Sequence, residues 1–356
     1  MPLDVGFLVN KAAVLRETMS RNICICTQKQ SDKRNAVDLK DFTIENTEDG
    51  EVWKLPGSVN GQQFVIQNCK NTCIYIFDSA NTVTVDDCIN CKIILAAVKG
   101  SIFLRDCKEC VCMAACGQFR TRDCRKLHVF LCCATQPIIE ASSSIHFGCY
   151  QLYYSGVEEH FQKAALSVFN NNWSNVHDFT PIEGESNWCL FPDTVRIQDY
   201  VSLPASPELQ RLNASLLAEK SVVPYTWGPH KTSTGESCLV AFFSDGQQVQ
   251  RAKAFINTLK IENPDCLLLQ SKESQMQEAS AESVFRTNSY NGAVQQGAVV
   301  GLQYSGPNCL QSCHKVAVSI ATATGSTGLV YVSTNPKVSQ QQVDTFFNLA
   351  NVQLVA

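Results

Sequence analysis

Four short stretches decide the fold: FVIQNC at 64–69, VTVDDC at 83–88, IFLRDC at 102–107 and FRTRDC at 119–124. Each alternates mostly apolar with variable residues and closes on Asp or Asn followed by Cys, and the closing cysteines step by 19, 19 and 17 residues. Alternation at a period of two is a strand with one face on a core. Its recurrence at a near-constant interval is the mark of a solenoid with stacked strand rungs. The register gives every residue a face. Phe64/Ile66, Val83/Val85, Ile102/Leu104 and Phe119/Thr121 point inward. The outward slots hold Gln63/Val65/Gln67, Thr82/Thr84/Asp86, Ser101/Phe103/Arg105 and Gln118/Arg120/Arg122. Only the last rung presents a glutamine and two arginines in a row, which makes it the candidate functional surface.

Bulk properties bound the rest. A chain of 356 residues, 17% charged, 45% hydrophobic and with net charge −4, has room for two domains with separate cores. It lacks the basic excess of a nucleic-acid binder. No apolar run approaches the ~20 residues of a membrane span. The N-terminal stretch LDVGFLVNKAAVL has no basic lead or clear cleavage site, so the expectation is a cytoplasmic, not a secreted, protein.

Nineteen cysteines need an account. Cys88-x2-Cys91-x15-Cys107-x2-Cys110 has the spacing of a zinc ribbon. Strand repeats intervene, however, and Cys69, Cys73, Cys112, Cys116 and Cys124 carry the pattern past four ligands. The expected reading is a ladder of small buried thiols inside a narrow β-helix, with no metal. Reduced thiols agree with a cytosolic location.

The chain divides into a polar, flexible arm (1–40), the rung region (41–200), a linker rich in proline and turn residues with a short helix candidate at 207–219 (201–236), and a final part (237–356). In that last part strand-like CLVAFFS, CLLLQSK, AVVGLQYSG and LVYVST alternate with helical GQQVQRAKAFINTL, SQMQEASAESVFRT, LQSCHKVAVSIAT and VSQQQVDTFFNLA. The alternation predicts an α/β sandwich of ferredoxin-like type.

The runs LPGSVNGQQFVIQNCKN (55–71), CGQFRTRDCRKLHVFLCCATQPIIE (116–140) and FNNNWSNVHDFTP (169–181) resemble the retinitis pigmentosa 2 family. Its β-helical domain is shared with tubulin-folding cofactor C and is related to the C-terminal domain of cyclase-associated protein. The resemblance is strong over about residues 38–200. It implies a right-handed parallel β-helix followed by a nucleoside-diphosphate-kinase-like domain. It also implies a GTPase-activating protein for an Arf-like small GTPase in its GTP form, Arf-like protein 3 above all, in ciliary trafficking of lipidated proteins. GTP and Mg²⁺ would belong to the partner, and the chain would need no cofactor of its own. A non-catalytic effector or scaffold, and a tubulin GTPase activator or folding cofactor, remain as alternatives.

By the same resemblance the family's arginine finger falls on Arg120, with Gln118 two residues before it to orient the attacking water or the GTPase's catalytic group. An arginine supplied in trans stabilises the charge spread over the transferring phosphoryl group and is worth ~10³–10⁵ in rate. Glu140 and Phe179 match positions that grip the GTPase, Phe179 reading equally well as a core anchor. Arg122 and Arg125 read as residues that hold the rungs by ion pairs. Gly117 stands where the family has a second glutamine, so one partner hydrogen bond is expected to be missing.

The family begins Met-Gly-Cys, whereas this chain begins Met1-Pro2, which excludes N-myristoylation as written. Cys24 and Cys26 are left as possible lipidation sites beside the plainer reading of ordinary thiols, so membrane association stays open. His314, in QSCHKVAV, is the only histidine after His230 and lacks the NxxHGSD context of a phosphate-accepting histidine. It is expected to be a satisfied structural residue. No Walker A loop, HExxH or nucleophile elbow occurs, so no intrinsic activity is expected.

Overall fold

The computed structural model describes residues 39–203, 206–228 and 235–353, and Pro2, Cys24 and Cys26 lie outside them. The rung region is a parallel β-helix of about six turns. One face is built from Thr43–Glu45, Phe64–Gln67, Val83–Asp86, the ends of the long strands Lys92–Arg105 and Val111–Arg122, then Ile138–Glu140 and His177–Asp178. A second face stacks Glu51–Lys54, Cys73–Ile76, the beginnings of the same long strands, His128–Cys133, Ile145–Cys149 and Trp188–Leu190. A narrow third side is a ladder of single bridges from Glu48 through Lys70, Ile89, Lys108 and Arg125 to Ser143. The repeat register holds: every residue assigned inward is buried, and the outward slots are half-buried or exposed.

The Asp/Asn–Cys ending of each repeat has a backbone cause. Asn68, Asp87, Asp106 and Asp123 turn the corner at φ of 54, 52, 55 and 55°. That left-handed region is one that Asn and Asp tolerate better than other non-glycine residues. The next residue then points into the corner. The thiol there donates to the carbonyl two residues back: Cys69 to Gln67 at 3.3 Å, Cys88 to Asp86 at 3.4 Å, Cys107 to Arg105 at 3.2 Å and Cys124 to Arg122 at 3.3 Å. A small hydrophobe with a weak donor fits this position. Among the described residues no group of three or more His, Cys, Asp or Glu is arranged to hold a metal ion.

The thiol ladder accounts for fewer cysteines than expected. Cys73 and Cys132 belong to the outer side of the second face, Cys238, Cys266, Cys309 and Cys313 to the C-terminal module, and Cys189 is exposed. The reason is that the second face is covered. Tyr75, Phe77, Ile94, Met113 and Phe130 are packed under Val157–Lys163 and the buried side chains Ile197, Val201, Leu209, Leu216 and Val223. Its strands (CIYI, KIILAAV, VCMAAC, HVFLCC) are therefore apolar on both sides, while the first face alternates because its outside meets water. The helix candidate at 207–219 shortens to Pro207–Arg211, with Ser206 capping Leu209 N.

After Cys149 the chain leaves the solenoid and returns at its C-terminal end with His177–Asp178 and Trp188–Leu190. Asn171 accepts from Cys133 N at 3.0 Å and donates to Leu131 O at 3.2 Å. The indole of Trp173 donates to Thr226 at 2.8 Å. The segment 169–181 thus closes the core and supplies the last strand of the first face.

The C-terminal module is an antiparallel sheet in the order Leu267–Ser274, Val299–Gly306, Glu236–Phe242, Val330–Val332. This is the ferredoxin-like order, but helices cover both sides. Gln248–Glu262 and Cys309–Ala323 pack on one face, Glu278–Phe285 and Pro336–Gln353 on the other. His314 is exposed on its helix and makes no hydrogen bond or ion pair among the described residues, so the satisfied structural residue expected there is not found. The module is tied to the closing segment of the β-helix: Ser271 donates to Phe169 O at 2.9 Å, Lys272 to Asn172 at 2.7 Å, and Glu273 N to Asn170 at 2.8 Å. Among the described residues no helix is long and apolar enough to cross a membrane.

Candidate functional site

The open face presents its outward side chains in rows across the rungs. One row runs Val65, Thr84, Phe103, Arg120, Ile138, His177; the next runs Gln67, Asp86, Arg105, Arg122, Glu140. The second row is largely self-paired. Gln67 donates to Glu45 at 2.7 Å, and Arg105 grips Asp86 through two bonds of 2.7 and 2.8 Å. Arg122 lies 3.4 Å from Asp123, the ion pair foreseen for it, whereas Arg125 has none among the described residues.

Arg120 differs. Its neighbours along the row are Phe103 and Ile138, so no carboxylate stands where Asp86 stands for Arg105. The side chain is exposed and makes no hydrogen bond or ion pair among the described residues, while both flanking residues, Phe119 and Thr121, are buried in the core. The result is a charged group on a fixed base with a free head. Gln118, on the same side, is exposed, and its Oε1 accepts from Ser101 Oγ at 3.2 Å, which leaves the amide NH₂ available.

Gly117 sets this rung in place. The long strands slip register between Val98/Cys116 and Ser101/Gln118, which shortens the corner. A Cβ on Gly117 would lie 2.7 Å from Lys99 O and 3.0 Å from Gly100 O, closer than a side chain tolerates. Its bareness thus has a local packing reason.

Glu140 is exposed on the rung after Arg122, with no partner for its carboxylate among the described residues. Phe179 follows on the last rung; its N–H donates to Ile139 O at 2.9 Å. The ring is 58% exposed and lies edge-on to His177, with centroids 4.5 Å apart. Of the two readings of Phe179, the core anchor therefore fails. Arg120, Gln118, Glu140 and Phe179 occupy one continuous open face. Sequence reasoning missed Phe103, Ile138 and His177, which line the Arg120 row. The signal was present for Phe103, an aromatic in an outward slot, but Ile138 and His177 lie beyond the regular repeat.

The fold and its register define a class: residues 61–179 match the family described as Tubulin binding cofactor C. Over a longer span the chain is 45% identical to Protein XRP2 of Gallus gallus, covering 91% of this chain and 89% of that one. It is 44% identical to Protein XRP2 of Homo sapiens, covering 91% of each. Likeness to Tubulin-specific chaperone C of Mus musculus is 29%, over 43% of this chain and 46% of that one. The chain belongs to the Protein XRP2 family.

Proposed function

We propose that this protein is a GTPase-activating protein that inserts Arg120 into the nucleotide site of an Arf-like small GTPase in its GTP form, most specifically Arf-like protein 3. The observation that carries the reading is the state of Arg120: exposed, without a hydrogen bond or ion pair among the described residues, beside Phe103 and Ile138 in its row, and mounted between the buried residues Phe119 and Thr121. Phosphoryl transfer to water spreads negative charge over the γ-phosphoryl oxygens, and a slow GTPase lacks a cation there. A guanidinium that has no competing carboxylate and pays little entropy to be positioned is suited to supply one. Gln118 orients the attacking water or the partner's catalytic side chain, and Glu140 and Phe179 contribute binding. GTP and Mg²⁺ come with the partner. The wider role that goes with this reading is release of lipidated proteins during ciliary trafficking.

The test is single-turnover GTP hydrolysis by Arf-like protein 3 with the wild type and with Arg120→Ala, beside a binding assay. The expected result is acceleration by the wild type of ~10³–10⁵-fold, lost in the variant with binding retained. Equal binding by both proteins with no acceleration would reduce the role to that of an effector or scaffold. Likeness to Tubulin-specific chaperone C favours a second partner, tubulin, to be assayed in the same way.

A further inference from the structure

A cleft of about 1030 Å³ opens between the covered side of the β-helix and the C-terminal module. One wall is the helix Gln248–Glu262. Its Ala252, Phe255 and Leu259 go to the core, while Lys253, Ile256, Asn257 and Lys260, spaced i, i+3, i+4 and i+7, face the cleft. The opposite wall is the linker, residues 217–227, and it is pinned. Trp227 N donates to Leu268 O at 2.9 Å and Gly228 N to Leu269 O at 3.0 Å, which lays the segment along the sheet edge. Gln198 Nε2 donates to Leu216 O at 3.0 Å, and Tyr153 and Ser215 exchange backbone bonds of 2.9 and 2.8 Å. The cleft is therefore formed before anything enters it.

Its lining has three chemistries. The interior is apolar, with buried Val222, Val223 and Leu268 and half-buried Ile256. Within it the hydroxyls of Tyr304 and Ser221 are shut off from solvent and have no hydrogen-bond partner among the described residues. A buried donor in that state calls for an acceptor. The mouth is cationic. Lys253 is held by Glu158 at 3.0 Å, but Arg196, Lys220 and Lys260 make no ion pair among the described residues, and Glu219 is the one other carboxylate of the lining. This local excess stands out on a chain of net charge −4. Finally, Leu217 and Ile261 leave 45% and 81% of their surface exposed at the lips.

We propose that this cleft is a docking site for an acidic peptide segment of a partner protein. The ligand places aliphatic or aromatic side chains on the apolar walls and carboxylates on Arg196, Lys220 and Lys260. Its backbone carbonyls accept from Tyr304 and Ser221. The cations come from three separate segments and the unpartnered hydroxyls from two, so the ligand must offer several acceptors along its length, which a peptide does and a single head group does not. Small-ligand sites span ~300–1,000 Å³ and enclose most of their ligand. This cleft stands at the top of that range, and its apolar lips extend the contact outward. Fixed walls keep the ordering cost of binding low on the protein's side.

The experiment pans a phage-displayed library of random peptides on the full chain. Synthetic copies of the enriched sequences are then titrated by fluorescence polarisation into the wild type and three variants, with circular dichroism as the check on folding. Ile256→Trp fills the cleft from one wall. Lys220→Glu with Lys260→Glu reverses charge at two exposed positions. Tyr304→Phe removes only an oxygen that has no partner in the described chain. Enriched peptides are expected to combine Asp or Glu with Leu, Phe or Trp and to weaken with salt. Their Kd should rise at least about 10-fold in the first two variants and about fivefold in Tyr304→Phe. Enrichment of basic or uncharged peptides, or none above the bare support, overturns the proposal. So does equal binding to the wild type, Ile256→Trp and the charge-reversed variant. Saturable binding of hexadecanoate with no peptide enriched also overturns it, and assigns the cleft to a lipid.

Discussion

Arg105 and Arg120 sit on consecutive rungs of one face, and their neighbours give them opposite fates. Arg105 is spent on Asp86, whose carboxylate raises its pKa further, while Arg120 faces Phe103 and Ile138 and keeps its head free. The contrast yields a prediction at single-residue scale. Phe103→Asp places a carboxylate beside Arg120 as Asp86 stands beside Arg105, and should capture it. Stimulated hydrolysis is expected to fall at least about tenfold, with the melting temperature little changed because the slot faces solvent. An undiminished rate would mean that Arg120 is not the group that acts. The outward placement of Arg120 was legible from the repeat alone. Its freedom was not, because that depends on what the adjacent rungs present at the same row position.

At the scale of the element, the repeat was readable because two physical demands recur at the same interval: a core-facing alternation and a left-handed corner. Asp106 illustrates the second. It holds φ 55° at the surface, so its role is conformational. Asp106→Ala is expected to destabilise by about 1–2 kcal/mol, and Asp106→Gly to recover most of that, because glycine alone has no Cβ to clash. Urea unfolding of the three proteins checks the order; an alanine variant as stable as glycine would refute it. The second face was harder to read. Its apolar runs carry no alternation because Ile197, Val201, Leu209, Leu216 and Val223 cover them, and nothing local in SLPASPELQ announces that Leu209 is buried. The ferredoxin-like sheet could be read from alternating elements, whereas the second helical layer depends on Phe346, Phe347 and Val343 meeting the far side of the sheet.

Over the whole molecule, burial of thiols and imidazoles sets the response to pH. Burial pushes Cys112 up to about 12 and Cys149 to about 11, and raises Cys116 and Cys132 as well. The folded chain keeps these protons where an unfolded chain, with thiols ionising near 9, has released them. It therefore binds more protons than the unfolded state above about pH 9, and stability falls as pH rises. Two influences act in the opposite direction. Hydrogen bonds from neighbouring thiols hold Cys91, Cys124 and Cys238 below 9, which matters up to that value, and burial lowers Lys272 to about 8, which matters between 8 and 10.5. Above pH 9 the raised thiols outnumber Lys272. On the acid side burial depresses His128 and His160 below 6.5, the latter despite Asp78 nearby. Their neutral forms contribute stability above that value, and it is lost as the pH falls and the unfolded chain takes up protons first. The urea midpoint should thus peak near neutrality and decline toward pH 10 and pH 5. A midpoint rising from pH 8 to 10 would contradict the buried thiols.

The same thiols make the solenoid self-reporting. Nearly every turn carries its own sealed sulfur, and among the described cysteines only Cys73 and Cys189 are not buried. A turn that frays admits an alkylating reagent at its own numbered position, while closed turns stay silent. The order in which the sulfurs become reactive is a chronology of opening. It tells whether the stack unzips from the end near Thr43 or from the end that Trp173 closes.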